Sequence, residues 1–464
     1  MTSFSLAAAA ERFGGTILNP DVMFNAISID SRSINAGDLF FAIQGPTYDG
    51  HAFIPDIENK ICGAVVNKAD CSSDLPQWVV EDTRLALRQI AEMKREKFRG
   101  KVIAVTGSSG KTSVKETIFS ALNQRFSVCK TKGNLNNEIG VPLSVLANKL
   151  DSDFWVIEMG ASKIGDIKHL CEIAKPDVAI INNIQRAHIE GFGSIENIVI
   201  AKSEIYSGLT STGIAIINLD EKASDYWMQL NKEKKIYTFS SKDKNADLYS
   251  SNLQADEQGY FKFDLNVRER VSGTTKTRTI SLPHSGRQHV DNSLSAAAVC
   301  HSLGLTIDEI CTGLRSVDLP YARFQNIKIS PLLLLVDDSY NANPDSFKLA
   351  VENISNRQGF NILVIGDLAE LGDEAESIHR ELGEFAKAKN IQKLMSLGDL
   401  SRHASKIFKG DHYEEIEHLL SKLKELIKLN IGKGLRSNIL IKGSRSSRME
   451  RVVDEITRSF PRTC

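Results

Sequence analysis

The run Val105-Thr-Gly-Ser-Ser-Gly-Lys-Thr112 carries the most specific chemistry in the chain. Glycines let a backbone wrap closely around a phosphate, so that successive N–H groups point inward at it. A helix opening at the loop adds the positive potential of its N-terminus. Lys111 would then reach the outer phosphates, and Thr112 would offer its hydroxyl to magnesium. The general phosphate loop would need its first glycine at Val105. Here a shorter form has Gly107 and Gly110 framing Ser108 and Ser109. A serine-glycine turn before an ordinary helix has the same letters; the expected strand before the run and helix after it favour the phosphate loop.

Five further segments have residue types suited to chemistry. Glu158 ends the apolar run Phe154-Trp-Val-Ile157, where a carboxylate could hold magnesium directly or through water or simply face solvent. His188 lies in Arg186-Ala-His-Ile-Glu-Gly-Phe-Gly193, a loop expected at the C-terminal edge of the sheet, where such folds bind ligands; a lone histidine is more often structural. Lys202, in Ala201-Lys-Ser-Glu-Ile-Tyr206, reads by itself as a solvated charge on a helical turn. Val336-Asp-Asp-Ser-Tyr-Asn-Ala-Asn-Pro344 puts two carboxylates at the end of an apolar strand. Its Asn343-Pro344 pairs a cap residue with a first-turn proline. Lys442-Gly-Ser-Arg-Ser-Ser-Arg448 offers hydroxyls and two arginines at a helix start, suited to phosphate or carboxylate, or to a plain basic helix entry.

The elements that must position these residues are short and apolar. Strands are expected at 102–105, 154–157, 178–181 and 214–217, with helical patterns between them. Continuous apolar strands alternating with helices imply a parallel sheet covered on both faces. The polar stretch 235–282 reads as a hairpin-containing excursion. Helices at 291–303 and 307–317 close this unit, with Thr306 and Glu309 at capping-box spacing. A small unit before it has strands at 38–43 and 64–66 and a capped surface helix ending at Gly14-Gly15. A third unit repeats the rhythm with strands at 332–336, 362–365, 394–397 and 439–441. The units divide at 1–82, 83–317 and 318–464.

Composition agrees. The chain has 464 residues, enough for about three domains. Apolar residues make up 42%, and 57 Lys plus Arg balance 58 Asp plus Glu. That balance argues against a nucleic-acid binder running on bulk charge. The seven cysteines are scattered, without Cys-x-x-Cys, so neither a disulfide framework nor a zinc cluster is expected. Ala7 to Ala10 mimic a secretion signal, but no basic segment precedes them and Glu11 and Arg12 end the run. The apolar stretch 332–336 is too short to span a bilayer. A soluble cytoplasmic protein without nucleic-acid or membrane partners is expected.

In this order the segments resemble the Mur ligase family, ATP-dependent amide-forming enzymes of peptidoglycan synthesis, over nearly the whole chain. Thr106-Gly-Ser-Ser-Gly-Lys-Thr112 is similar to the family's short phosphate loop. Asp30-Ser-Arg-Ser33, Gly37-Asp-Leu-Phe-Phe41 and Tyr48-Asp-Gly-His-Ala-Phe53 resemble the uridine-nucleotide-binding domain of the members that add the third and later residues. Asp337-Asp-Ser-Tyr-Asn-Ala-Asn-Pro344, Gly366-Asp-Leu-Ala-Glu-Leu-Gly372 and Lys442-Gly-Ser-Arg445 resemble the last of the four ligases, which joins D-alanyl-D-alanine to the UDP-N-acetylmuramoyl tripeptide. The Asp-Asn-Pro-Arg motif of the preceding ligase is absent.

The resemblance implies an α/β fold of three domains: a small N-terminal α/β domain, a central P-loop ATPase-like, mostly parallel sheet and a C-terminal Rossmann-like domain. It assigns the uridine nucleotide to the first domain, ATP to the second, and the dipeptide with part of the ATP site to the third. It implies that Gly107, Ser108, Ser109, Gly110, Lys111, Thr112 and Ser113 hold the ATP phosphates, with Asn292, Arg323 and Asp338 around the rest of the nucleotide. Thr112 and Glu158 would bind one Mg2+, and His188 with a carbamoylated Lys202 a second. Lys111, His188 and Lys202 would be catalytic. Ser31, Arg32, Asp49, Gly50, His51, Asn134, Asn137, Glu138, Asn341, Asn343, Ser444 and Arg445 would contact the substrates. A monomer whose C-terminal domain closes over the site is implied. The family's usual Gly-Arg-His-Asn is here Gly286-Arg-Gln-His289, the histidine displaced by one place. Competing readings are a tripeptide-forming ligase or folylpolyglutamate synthase of the same superfamily, and a phosphate-loop ATPase acting as a binding or motor module.

Overall fold

The computed structural model describes residues 4–270 and 273–460. Three sheets follow one another along the chain, beside a short pairing of Phe4–Ser5 with Met23–Phe24. The first has five strands in the order Thr16–Leu18, Gln77–Val79, Gly63–Val66, Leu39–Phe41 and Ile27–Ser28. All its pairings are parallel except that of Thr16–Leu18. Two of these strands were expected; the others are only two or three residues long, too short to show a pattern.

The central sheet has nine strands. Lys101–Thr106 lies between Val178–Ile181 and Phe154–Glu158, parallel to both. Successive residues face opposite sides: Val102 and Ala104 join one core cluster with Trp155 and Ile157, while Ile103 and Val105 join another with Phe154 and Val156. Both faces are covered, so these strands are apolar throughout.

The stretch 235–282 contains the expected hairpins, but it extends the central sheet rather than leaving it. Lys235–Ser240 pairs in parallel with Ile214–Asn218, and Leu248–Ala255, Tyr260–Arg268 and Thr275–Ser285 extend the same sheet, the last two antiparallel to their neighbours. These strands are polar because only one face is buried, as Phe263, Leu265 and Val267 show by alternating with more exposed residues over much of their strand. The helix expected from 291 starts earlier, at Gln288–Ser302, after Gly286 with φ 108°.

The C-terminal sheet runs Gln325–Ser330, Leu333–Asp338, Ser437–Lys442, Phe360–Gly366, Lys393–Leu397 and Asp411–Tyr413, antiparallel only at the first pair. The expected caps form. Thr306 and Glu309 make a capping box, Asn343 accepts from the Ser346 N–H ahead of Pro344, and Ser5 with Gly14 bounds the first helix, Leu6–Phe13. Cys62, Cys71, Cys129, Cys171, Cys300 and Cys311 are free; Cys464 lies outside the described residues. No helix among the described residues is long and apolar enough to cross a membrane.

The first two units share a core. Phe4, Leu6 and Trp78 lie in one cluster with Ala86, Leu87 and Ile90 of the helix Thr83–Lys97. The Thr83 hydroxyl donates to the Ala42 carbonyl at 3.0 Å.

The phosphate-loop helix, Lys111–Leu122, is held from behind by Ile307–Arg315. A Cβ at Gly313 would sit 2.2 Å from Ala121 Cα and 2.8 Å from its nitrogen. Backbone cannot swing aside, so Gly313→Ala is expected to destabilise the protein by about 1–3 kcal/mol. The measurement is the denaturant midpoint; an unchanged midpoint would mean that this helix contact contributes nothing.

Candidate active site

The strand Lys101–Thr106 ends in Gly107, and the chain turns through Ser108 and Ser109 into the helix at Lys111. Gly110 has φ 74°, and a Cβ there would meet Asn292 Oδ1 at 2.4 Å and Asn182 Nδ2 at 2.6 Å. Glycine is therefore required twice, by backbone conformation and by space. Asn182 donates to both the Ser109 carbonyl (3.0 Å) and Asn292 Oδ1 (2.9 Å). Asn183 Oδ1 accepts from the Ser109 N–H at 2.9 Å. The Lys111 ammonium folds back to the Gly107 carbonyl at 2.8 Å, and burial pulls its pKa down. The Thr112 hydroxyl accepts from Arg323 of the C-terminal unit at 3.0 Å.

Glu158 is buried at the end of its strand. Its Oε1 accepts from Asn136 Nδ2 at 2.7 Å, and its Oε2 has no hydrogen-bond partner. Lys202 is not the solvated charge its segment suggests: it is 1% exposed, and its Nζ is also unpartnered. The helix Ile195–Ser207 turns Ile198, Lys202 and Ile205 inward together, the 3.6-residue stripe of a core-facing helix. Burial, with the nearby Lys111 cation, drives the Lys202 pKa well down. His188 sits at φ 54°, its Nδ1 2.5 Å from Glu370 Oε2 of the C-terminal unit, a close contact rather than an aligned hydrogen bond. It holds the Glu370 carboxyl below its usual range. Among the described residues, no three His, Cys, Asp or Glu side chains form a ready metal cage.

One cleft of about 1540 Å³ runs between the units. Of the expected residues it is lined by Ser108 to Ser113, Asn134, Asn137, Glu138, Glu158, His188, Asn292, Arg323, Asp338, Asn341, Asn343 and Arg445. Strand register sets Asp338 beside Lys442, whose ammonium lies 2.5 Å from Asp338 Oδ2. Burial raises the Asp338 pKa, and Lys442 opposes that rise. Arg323 lies over the Tyr340 ring at 4.1 Å. Asn341 Oδ1 accepts from the Arg445 N–H at 3.2 Å.

The remaining expected residues lie outside that lining. Gly107 packs against Asn182 and Asn183, and Lys202 is buried. Ser444 is buried, its hydroxyl donating to the Asp367 carbonyl at 2.6 Å. The N-terminal group is separate. Ser31 and Arg32 follow the cap Asp30, which pairs with the Arg32 guanidinium at 2.8 Å. Asp49 contacts His51 Nδ1 at 2.6 Å, and Gly50 packs so tightly that a Cβ would lie 2.8 Å from the Ile43 nitrogen. Arg84 links this unit to the cleft, donating to the Gln44 carbonyl at 2.8 Å and pairing with Glu138 at 3.2 Å.

Sequence reasoning missed Asn182, Asn183 and the role of Glu370, and it gave Asn136 no part at Glu158. The first two directly follow the strand Val178–Ile181, so their strand-end position was the available signal. The displaced histidine of the Gly286 segment, His289, is buried and held neutral, its pKa pushed down to about 3 by burial. Gln288 instead lines the cleft and accepts from Asn353 at 3.0 Å.

Comparison with known proteins agrees along the whole length. Residues 24–104, 105–300 and 322–445 match, in turn, the Mur ligase family catalytic domain, the Mur ligase middle domain and the Mur ligase glutamate ligase domain. The UDP-N-acetylmuramoyl-tripeptide–D-alanyl-D-alanine ligase of Escherichia coli (strain K12) is 37% identical over 454 residues, 98% of each chain. The structure is similar to a crystal structure of MurF from Acinetobacter baumannii, with TM-score 0.90 and 30% identity over 99% of both chains. It is also similar to the MurF ligase of Thermotoga maritima in complex with ADP, with TM-score 0.81 and 29% identity over 94% of this chain and 98% of that one. With three consecutive domain matches and a relative this similar end to end, the chain belongs to the Mur ligase family.

Proposed function

We propose that this chain joins D-alanyl-D-alanine to a UDP-N-acetylmuramoyl tripeptide, driven by ATP, in peptidoglycan precursor synthesis. The observation that carries this reading is the single cleft lined by the phosphate loop, by the 134–138 loop and by Asp338, Asn341, Asn343 and Arg445. A reaction between three substrates needs such a convergence. The likeness to a relative of that name supports the choice of substrates.

Amide formation from a carboxylate is unfavourable in water, so the carboxylate must first be activated. The tripeptide carboxylate attacks the γ-phosphate of ATP, giving an acyl phosphate and ADP. The dipeptide amine then attacks the acyl carbon, and the tetrahedral intermediate expels phosphate. Lys111, Arg323 and the amides from Gly107 to Ser113 hold the phosphates and offset the charge that crowds them. Asn292 and Asp338 contact the nucleoside, with Lys442 fixing the Asp338 carboxylate. Asn134, Asn137 and Glu138 face the muramoyl substrate. Asn341, Asn343 and Arg445 receive the dipeptide, Arg445 being suited to its carboxylate, while Ser444, buried on the Asp367 carbonyl, fixes the turn that presents Arg445. Ser31, Arg32, Asp49, Gly50 and His51 hold the uridine end.

Two magnesium ions fit these residues. Glu158 Oε2 is a buried carboxylate oxygen without a hydrogen-bond partner, 3.6 Å from the Lys115 ammonium, and hard cations take oxygen ligands. Thr112 would share that ion, and His188 the second. Lys202 does not fit as an amine. Its buried, unpartnered nitrogen would fit as a carbamate, formed when the neutral amine adds carbon dioxide and releases a proton. When bound, the ions supply charge stabilisation at the transferred phosphoryl group. Residues 1–82, 83–317 and 318–464 then serve the uridine nucleotide, ATP and the dipeptide, in a cytoplasmic monomer. Contacts between the last two units, such as Arg186 with Glu381 at 3.2 Å, support closure that keeps water from the acyl phosphate.

The test is phosphate release with ATP, magnesium, the tripeptide nucleotide and D-alanyl-D-alanine, each omitted in turn. Release should need all four; release indifferent to the dipeptide would favour a plain ATPase and sink the proposal. Lys111→Ala should fold normally and lose at least about 10²–10³-fold in kcat, the cost of removing one preorganised electrostatic group. Near-normal turnover in that variant would remove the phosphate-loop assignment.

A further inference from the structure

One buried cation beside the site has no part in the chemistry above. Lys115 lies one helical turn beyond Lys111, and none of its side chain is exposed. A buried ammonium is costly unless it is paired and hydrogen-bonded. Its Nζ donates to the Thr131 carbonyl at 2.8 Å and the Gly133 carbonyl at 3.3 Å. Glu116 Oε1 lies at 3.2 Å and Glu158 Oε2 at 3.6 Å. Thr131 and Gly133 open the loop whose Asn134, Asn136, Asn137 and Glu138 line the cleft. That loop returns to Glu158 twice. Asn136 donates to Oε1 at 2.7 Å, and the Thr131 hydroxyl accepts from the Glu158 N–H at 3.1 Å. Helix, loop and strand end thus form a closed ring of contacts through one ammonium. Neutralising Glu116 does not account for the arrangement, because Lys130 already pairs with Glu116.

We propose that Lys115 is a positioning residue. It ties the phosphate-loop helix to the 131–138 loop and holds the Glu158 carboxylate in one orientation, so that the metal–nucleotide site and the acceptor pocket are set together. The proposal rests on the ligase reading, specifically on Glu158 as a metal ligand and the loop as a muramoyl contact.

Lys115→Met keeps the apolar stem and removes the ammonium. It leaves Glu116 and Glu158 facing each other, so Lys115→Met/Glu116→Gln is made beside it, with Glu116→Gln as the control. Two quantities are measured on the full chain. One is the calorimetric affinity for Mn2+ in the presence of a non-hydrolysable ATP analogue; the other is KM for each substrate, with kcat. In the double variant, relative to the control, the metal Kd should rise about tenfold or more, as it does when a group orienting a metal ligand is lost. KM for the tripeptide nucleotide should rise with it, and KM for D-alanyl-D-alanine should stay unchanged. Unchanged metal affinity and tripeptide KM would overturn the proposal. So would an equal rise in both KM values, or a double variant that does not fold, since either would make Lys115 a general prop of the fold. The metal titration needs no turnover, so it separates this failure from a failure of the ligase reading, which the omission assay reports.

Discussion

The site depends on one close approach of backbone to side chain. Gly110 must take a left-handed conformation and leave no Cβ, because the Asn182 and Asn292 amides occupy that space. The two asparagines come from different elements, the loop after Val178–Ile181 and the helix Gln288–Ser302, and they bond to each other at 2.9 Å. The loop that would cradle phosphate is thus shaped by the sheet on one side and a helix on the other, before any ligand arrives. The N–H groups of Ser108 and Ser109 donate to Asn183, which fixes the loop from the same side.

Around that loop the protein concentrates charge where water is scarce. Lys115 and Lys202 are buried and Lys111 is half-buried, with Glu158 buried among them. Lys115 is satisfied by the protein itself, whereas Lys202 Nζ and Glu158 Oε2 are not. Buried polar atoms without partners are rare in folded proteins and call for an explanation. Under the proposed function, ligands and a carbamate on Lys202 would complete the set. The near-zero net charge of the chain is consistent with this, since anionic substrates are met by local devices and need no general basic surface.

The phosphate loop, Glu158 and the strand-end carboxylates were legible in the sequence because each is a local pattern: a glycine spacing, or an acid closing an apolar run. The caps at Thr306 and Asn343 were legible for the same reason. Lys202 was not, because its burial follows from the stripe it shares with Ile198 and Ile205, which the short segment Ala201 to Tyr206 does not span. Nor does any local signal single out Lys115 on the helix Lys111–Leu122. The hairpins between 248 and 285 were legible from their alternation, but not that they extend the central sheet, because a strand with one solvated face carries no mark of the neighbour it joins. Contacts such as His188 with Glu370 join segments more than 180 residues apart, and no local signal announces them.

The core shared by the N-terminal unit and the helix Thr83–Lys97 has a mechanical consequence. Phe4, Leu6 and Trp78 are buried against Leu87 and Ile90, so these two units cannot part without exposing apolar surface to water. The seam to the C-terminal unit is of another kind. It is stitched mainly by Arg186 with Glu381, His188 with Glu370, Arg323 with Thr112 and Gln288 with Asn353, with Ile189 as an apolar contact. Water can replace polar contacts of this sort at small net cost, and dissolved salt screens the charged ones. The first two units are thus held by an apolar joint and the third by a mainly polar seam, and the ionic strength of the solution bears more on the seam than on the joint.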